Sequence, residues 1–343
     1  MTRLFRALAW PLIAVLVGLG AAALLAGLAG ENPLNVLAIL ARSAFGSSFG
    51  FGYTLYYATP LLLAGLAVAL PYRAGLFNIG AEGQLLVGSA AVAAVGTMAV
   101  GLPALLAVPL GMLAAAMAGG AWGLLAGWLR AKRGAHEVIV TILLNIIAAA
   151  LVNWIILSLL KDPASQVAES RPIGDGFRLT GRLVNGTPAN VMFLVGVGLA
   201  VLAEWLLVRS VFGFEIRATG LGAAAARAQG IPEARVLMLT MALAGGLAGL
   251  IGVNEVMGQA WRLKDGFSPG YGYTGIAVAL LGRGHPLGVV PAALFFGALH
   301  KGAADLDIDT VHVSRDLAQV MQAIVILVVA VEAGLSWRKG RGQ

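Results

Sequence analysis

The chain has 343 residues, 59% of them hydrophobic and only 11% charged, with a mean hydropathy of +0.88 and a formal net charge of +7. A soluble protein of this length needs far more surface charge, so the composition describes a polytopic membrane protein. The absence of cysteine excludes a disulfide framework, a thiolate nucleophile and a Cys-based metal site, and the basic residues sit in short loops rather than in a tract suited to nucleic acid.

A spanning helix needs about 20 mainly apolar residues. That rule places spans at about 8–28, 53–71, 84–99, 103–129, 137–160, 190–208, 236–257, 273–284, 286–303 and 316–334. The opening M-T-R-L-F-R leads into an apolar run from Ala7 to Leu28 that is longer than a signal core, so it is read as a retained first helix. Asn35 to Phe49, with Arg42 inside it, is either an interfacial helix or part of a longer loop. The eighth and ninth spans are short and separated only by Arg283, Gly284, His285 and Pro286, which leaves room for a re-entrant hairpin or one broken helix.

Alternation of ten spans puts both termini on one face. That face also receives Arg73, Arg130 with Lys132 and Arg133, the polar interruption 209–235, Arg283, and the terminal Arg338, Lys339 and Arg341. The opposite face receives the long mixed loop 160–189 with Lys161, Arg171, Arg178 and Arg182. Short loops dominate the positive-inside rule, so both termini and 209–235 are expected in the cytoplasm. Within 209–235, Ala223 to Gln229 predicts a short helix stopped by Gly230 and Pro232. The fold expected is all-α, a single transmembrane domain over 1–343 with an inverted five-helix repeat. A faint echo supports the repeat: F-N-I-G-A-E-G-Q-L-L-V-G entering the third span against Y-G-Y-T-G-I-A-V-A-L-L-G entering the eighth.

Arg73 to Gln84 is broken by Gly75, Gly80 and Gly83, and carries Asn78, Glu82 and Gln84 at or near membrane depth. A carboxylate at a helix centre in hydrocarbon costs about 2.5–3.5 kcal/mol, so Glu82 should face protein or water. Glu82 belongs either to a broken helix entry beside a translocation route or to a helix start, where the dipole favours it. Asn145, Asn153, Glu204, Asn254 and Glu255 are further polar groups inside spans, with Asn145 and Asn254 as route candidates and interhelical packing as the competing role. Glu204 has Arg209 or water within reach, and Glu137, Thr141 and Asn145 share one helix face.

Gly258 to Tyr273 mixes charged and aromatic residues with turn formers, as an interfacial belt or as an external docking surface. Asp305, Asp307 and Asp309 lack the Gly and the twelfth-position Glu of a calcium loop and read as a solvated outer loop. No helical histidine pair stands ready for zinc, and none of the five lysines follows a glycine, so no phosphate-binding G-x-x-x-x-G-K-[ST] exists. No cofactor or metal is called for.

Several segments occur in a telling order: R-A-G-L-F-N-I-G-A-E-G-Q at 73–84, E-V-I-V-T-I-L-L-N at 137–145, G-F-E-I-R-A-T-G at 213–220, A-A-R-A-Q-G-I at 225–231, and G-F-S-P-G-Y-G-Y-T-G-I-A-V-A-L-L-G-R at 266–283. Together they resemble the permease subunit of bacterial ABC importers of the simple-sugar and nucleoside class, related to ribose and branched-chain amino acid permeases and type II-like in fold. F-N-I-G-A-E-G-Q is similar to the nucleoside-type branch. The resemblance implies a multi-pass protein of the inner membrane and a separate cytoplasmic ATPase. It also implies an extracytoplasmic binding protein or lipoprotein, and a second permease subunit that is a paralogue or a copy of this chain. It makes 212–235 the ATPase-coupling element through Glu215, Arg217, Ala218, Gly220, Arg227 and Gly230. One position departs from the pattern, Gly222, where relatives usually carry Asn. The rival reading is a self-sufficient ion-coupled transporter using Glu82, Glu204 or Glu255.

Overall fold

The computed structural model describes the backbone of residues 2–310 and, beyond them, positions 320, 323–324, 327–328 and 331. The expected span 316–334 falls almost wholly outside the described residues, as do Arg338, Lys339 and Arg341. Among the described residues the fold is helical, with isolated β-bridges only in loops. In chain order the helices are α1 (Thr2–Leu28), α2 (Pro33–Phe45), α3 (Ser48–Tyr72), α4 (Ala81–Met98), α5 (Ala104–Arg133) and α6 (Glu137–Ile155). They continue as α7 (Met192–Arg209), α8 (Val211–Leu221), α9 (Ala223–Ala228), α10 (Glu233–Gly249), α11 (Tyr271–Leu281) and α12 (Pro286–Asp309). Six of the described helices are long and apolar enough to cross a membrane: α3, α5, α6, α7, α10 and α12, with α6 and α10 each prolonged by a π-helical segment.

α3 is the central post. Its apolar window is 89% buried, against 28% for α5 and α7, and it is wrapped by α12, α11 and α10. The outer helices turn large apolar side chains outward, such as Ile139, Leu143, Ile146 and Ile147 on α6. A continuous exposed apolar belt of that kind suits lipid rather than water. α5 and α10 meet through glycine. A Cβ on Gly123 would fall inside the carbonyl oxygen of Met241, and one on Gly245 inside that of Gly119. Close backbone approach replaces the hydrophobic drive that lipid removes.

The loop 160–189 is a folded cap. Ser170 N–H donates to Leu263 O at 2.8 Å, Ile173 N–H to Trp261 O at 2.9 Å and Leu179 N–H to Met257 O at 2.9 Å. Phe177 and Ile173 pack against the C-terminal part of α4 at Gly96, and Phe177 also reaches Gly111 near the start of α5. Arg262 pairs with Glu169 and, at 3.6 Å, with Asp162. Burial opposes the charge on Glu169, but hydrogen bonds from Ser165 and Arg262 and the Arg262 and Lys264 charges hold its carboxyl below the ordinary range. At the other end of the bundle, Arg73 Nε donates to Gly284 O at 2.8 Å, and Gly220 lies against Arg73. Loops assigned to opposite faces by alternation are thus gathered at opposite ends.

Several expectations are corrected. The eighth span is an 11-residue helix, α11. At about 1.5 Å per residue it reaches roughly 17 Å, too short to cross alone. Of the two readings of Asn35 to Phe49 the helical one holds: it contains α2, capped by the Asn32 side chain accepting from Leu34 N–H at 3.0 Å, with Pro33 opening the helix. The Asp305–Asp309 run is the last turn of α12 and not a loop, because Lys301 pairs with Asp305 one turn on and Thr310 Oγ1 bonds Leu306 O. Glu204 does not pair with Arg209; its Oε1 lies 3.3 Å from His285 Nε2, and its side chain stays partly exposed. The stretch 209–235 holds two helices rather than one, since Ser210 breaks α7 and caps α8 by accepting from Gly213 N–H at 2.9 Å.

Candidate functional site

Three groups of polar residues stand out, and each is built by a break in a helix. The first is where α4 begins. Beyond α3 the chain reverses through Gly75, whose φ of 74° is the left-handed conformation glycine tolerates, and returns beside Ala67 of α3. Asn78 pins that return. Its Nδ2 donates to Ala67 O and Gln84 Oε1, both at 3.0 Å, and its Oδ1 accepts from Gly80 N–H and Gln84 Nε2. Asn145 of α6 closes the far side, accepting from Gly83 N–H at 2.8 Å and donating to Ile79 O at 2.9 Å and Tyr273 Oη at 3.3 Å.

Glu82, in the first turn of α4, accepts from Gly272 N–H at 2.7 Å. Gly272 lies in the first turn of α11, where a Cβ would collide with the backbone of Ala81 and Glu82. Two helix N-termini, each bearing partial positive charge, therefore share one buried carboxylate. Glu82 is at once a helix-start residue and part of a broken junction. Asn145→Ala would leave Gly83 N–H and Ile79 O unpaired in the interior. Each such buried group costs about 1–3 kcal/mol, so thermal unfolding in detergent should show a clear loss of stability, while Asn153→Ala should lose less.

The second group lies at the capped end. α10 passes through Gly252 into a π-helical segment, Val253–Ala260, that buries Asn254 and Glu255. Such wide turns recur at functional sites. Tyr56 Oη donates to Glu255 Oε2 at 2.9 Å, Asn254 Nδ2 to Glu255 Oε1 at 2.9 Å, and Asn190 Nδ2 to Asn254 Oδ1 at 3.0 Å. Asn254 was expected among the polar candidates. Tyr56 and Asn190 were not, although a tyrosine within a span and an Asn just ahead of one both need partners. Glu137 and Thr141 have packing roles, with Glu137 3.2 Å from Arg130 and Thr141 Oγ1 bonded to Glu137 O.

The third group is α8 with α9. Val211, Phe214 and Leu221 are 77%, 58% and 92% exposed. With Ala218 they recur every three or four residues, so they form one apolar stripe on α8. Glu215 and Arg217 are half-buried beside it, and Arg227 pairs with Glu233. α9 ends in a Schellman motif: Ile231 N–H reaches Ala226 O, Gly230 N–H reaches Arg227 O, and Gly230 takes φ 81°. Gly222 precedes α9 with no side-chain cap.

The three groups do not converge on one pocket. Asn78, Glu82, Gln84 and Asn145 share the α4–α11 junction, Asn254 lies in the network at the capped end, and the α8–α9 residues form a surface.

Comparison with known proteins agrees with this architecture. A guanosine ABC transporter permease, NupP of Bacillus subtilis, is 36% identical over 96% of this chain and 95% of its own length. A glucose ABC transporter permease, TsgB13 of Haloferax volcanii, is 34% identical over 92% of this chain and 85% of its own. A nucleoside ABC transporter permease, NupB of Lactococcus lactis, is 32% identical over 94% of this chain and 90% of its own. All three are permease components of ABC transporters. The profile of the family described as branched-chain amino acid transport system permease component matches residues 50–330, and the chain belongs to that family.

Proposed function

We propose that this permease carries a nucleoside, or a related sugar-like solute, inward across a bacterial cytoplasmic membrane as one subunit of an ABC importer. A separate cytoplasmic ATPase drives it, an extracytoplasmic binding protein or lipoprotein supplies it, and a second permease, paralogue or copy, completes the pore. The single domain spans the lipid bilayer about ten times with both termini in the cytoplasm, the non-helical stretch 261–270 completing the crossing that α11 is too short to make alone. The inverted repeat is supported by α4 and α11, whose similar sequences meet N-terminus to N-terminus, as an in-plane two-fold would place them.

The observation that carries the reading is the apolar stripe of α8, exposed at the end of the bundle away from the cap. An amphipathic helix whose apolar face no described residue covers fits a groove on a partner, and on this reading the groove belongs to the ATPase. Glu215, Arg217, Ala218, Gly220, Arg227 and Gly230 form or shape that contact. Asn78, Glu82, Gln84, Asn145 and Asn254 belong to the walls that part as the route opens. ATP-driven closure of the ATPase would move α8 as a rigid lever and switch the open face.

Reconstitution with and without the ATPase tests this. ATP-dependent nucleoside uptake is expected only with it, and uptake by the chain alone, collapsed by an ionophore, would establish an ion-coupled carrier instead. Phe214→Asp and Arg217→Glu should separate ATP hydrolysis from uptake while the permease remains folded by circular dichroism.

A further inference from the structure

At the capped end, α3 brings Tyr53, Tyr56 and Tyr57 to one side of the helix, because they are three and four residues apart. They face an open cavity of about 540 Å³, lined also by Arg182 and Gly186 to Pro188 and by Gln259 and Trp261 at the end of the π-helical segment. A volume in the range of 300–1,000 Å³ suits a small organic ligand.

The rings of this cavity are held from behind. Tyr57 packs at 6.3 Å from Tyr53, 5.3 Å from Tyr56 and 5.9 Å from His300, centroid to centroid. The Arg178 guanidinium lies 5.0 Å from the Trp261 ring, and Trp261 itself sits at φ 56°, a backbone conformation that only a determined surrounding holds in a tryptophan. Arg182 anchors the turn by donating to Gly258 O at 2.6 Å and Pro188 O at 3.1 Å. Beneath the floor, the Glu255 carboxylate is occupied by Tyr56 and Asn254. The cavity therefore offers aromatic faces, the exposed Gln259 amide as donor and acceptor, one arginine, and no carboxylate of its own. That chemistry favours a flat, neutral, heteroaromatic solute over a cation or an aliphatic one. Tyr53 and Tyr57 are only half-buried, so a ligand could leave as well as enter.

We infer that this cavity is the entry subsite at which the permease receives the base of a nucleoside, stacking it on Tyr57 and Trp261 and hydrogen-bonding it through Gln259. The inference rests on the importer reading above and adds to it the chemical group recognised. A base stacked on an aromatic side chain is worth about 1–3 kcal/mol, so losing one such face should weaken binding by about tenfold or more.

The test uses the assembled transporter in nanodiscs, without its binding protein, titrated with guanosine while tryptophan fluorescence is followed. Saturable quenching is expected with guanosine and not with ribose. Tyr57→Ala should raise the apparent Kd about tenfold and Tyr57→Phe should restore it, because the ring is kept. Gln259→Ala, an exposed change that leaves the helix intact, should also weaken binding. Equal binding by wild type, Tyr57→Ala and Gln259→Ala, or ribose competing as well as guanosine, would overturn the inference. If ATP-driven guanosine uptake keeps its KM in Tyr57→Ala, the subsite fails and the importer stands. If wild type shows no ATP-driven uptake of any nucleoside, the importer reading itself fails.

Discussion

Gly220→Val is expected to reduce uptake by about tenfold or more while ATP hydrolysis continues, the order of effect reached when a coupling element loses 1–2 kcal/mol of linkage. Gly220 closes the C-terminal turn of α8 directly over the α3–α4 reversal. A Cβ there would fall inside the carbonyl oxygen of Arg73 and within 3.0 Å of its carbonyl carbon. These are backbone atoms, so no side-chain rotation relieves the overlap and α8 must lift away. On the other side of the reversal, a Cβ on Gly75 would stand 3.5 Å from Gly220 Cα. From there the chain runs into the α4 start, where Asn78 bonds Gln84 at 3.0 Å and Glu82, in the same first turn, accepts from Gly272 N–H of α11 at 2.7 Å. The readout is the number of ATP molecules hydrolysed per nucleoside carried. Gly134→Ala, at the left-handed C-cap of α5 and outside the coupling residues, is the contrasting variant. It forces a left-handed residue at a cost of about 1–2 kcal/mol, yet nothing lies within 4 Å of its Cβ. It should lower stability with coupling intact. Equal coupling in both variants would remove the α8-to-α4 contact from the mechanism.

Gly245→Val should be the most damaging single change to the fold, costing more than the 1–3 kcal/mol typical of overpacking. Its Cβ would occupy the carbonyl oxygen of Gly119, and Gly123 Cα stands 3.1 Å away. The same seam carries Gly119, Gly127 and Gly249, so valine would push α5 and α10 apart along several turns. In lipid, close van der Waals contact is a main attraction between helices, and separating them sacrifices it. Gly198→Val on α7 is the matched control, because its Cβ would meet nothing within 4 Å. Fluorescence-detected chromatography and thermal unfolding in detergent should show Gly245→Val lost or strongly destabilised and Gly198→Val close to wild type. Equal stability of the two would mean that the glycine seam is not what joins α5 to α10.

The glycine seam was visible in the sequence as spacing at 119, 123 and 127, and at 245 and 249, but nothing local says which two helices share it. The same holds for Glu204. Its depth in α7 was plain, whereas its partner His285 comes from a turn that is remote in sequence. The short helix α9 was legible because its start and stop are set by adjacent residues. Gly230 can take φ 81°, and Pro232 bars continuation.

Everything that depends on summed local preference is legible in the chain of residues alone. Hydropathy over about 20 residues marks the spans, since partition into hydrocarbon is nearly additive along a segment. Caps and stops trim their ends, and the motif series names the family. Tertiary structure alone decided which polar groups meet. Glu82 and Gly272 are 190 residues apart, and Tyr56 and Glu255 are 199 apart. It also decided that α11 stops at 11 residues, with its N-terminus set against a carboxylate inside the bundle. A buried polar atom away from water must find a partner. Its composition declares that need, and only the packing of distant helices supplies the partner.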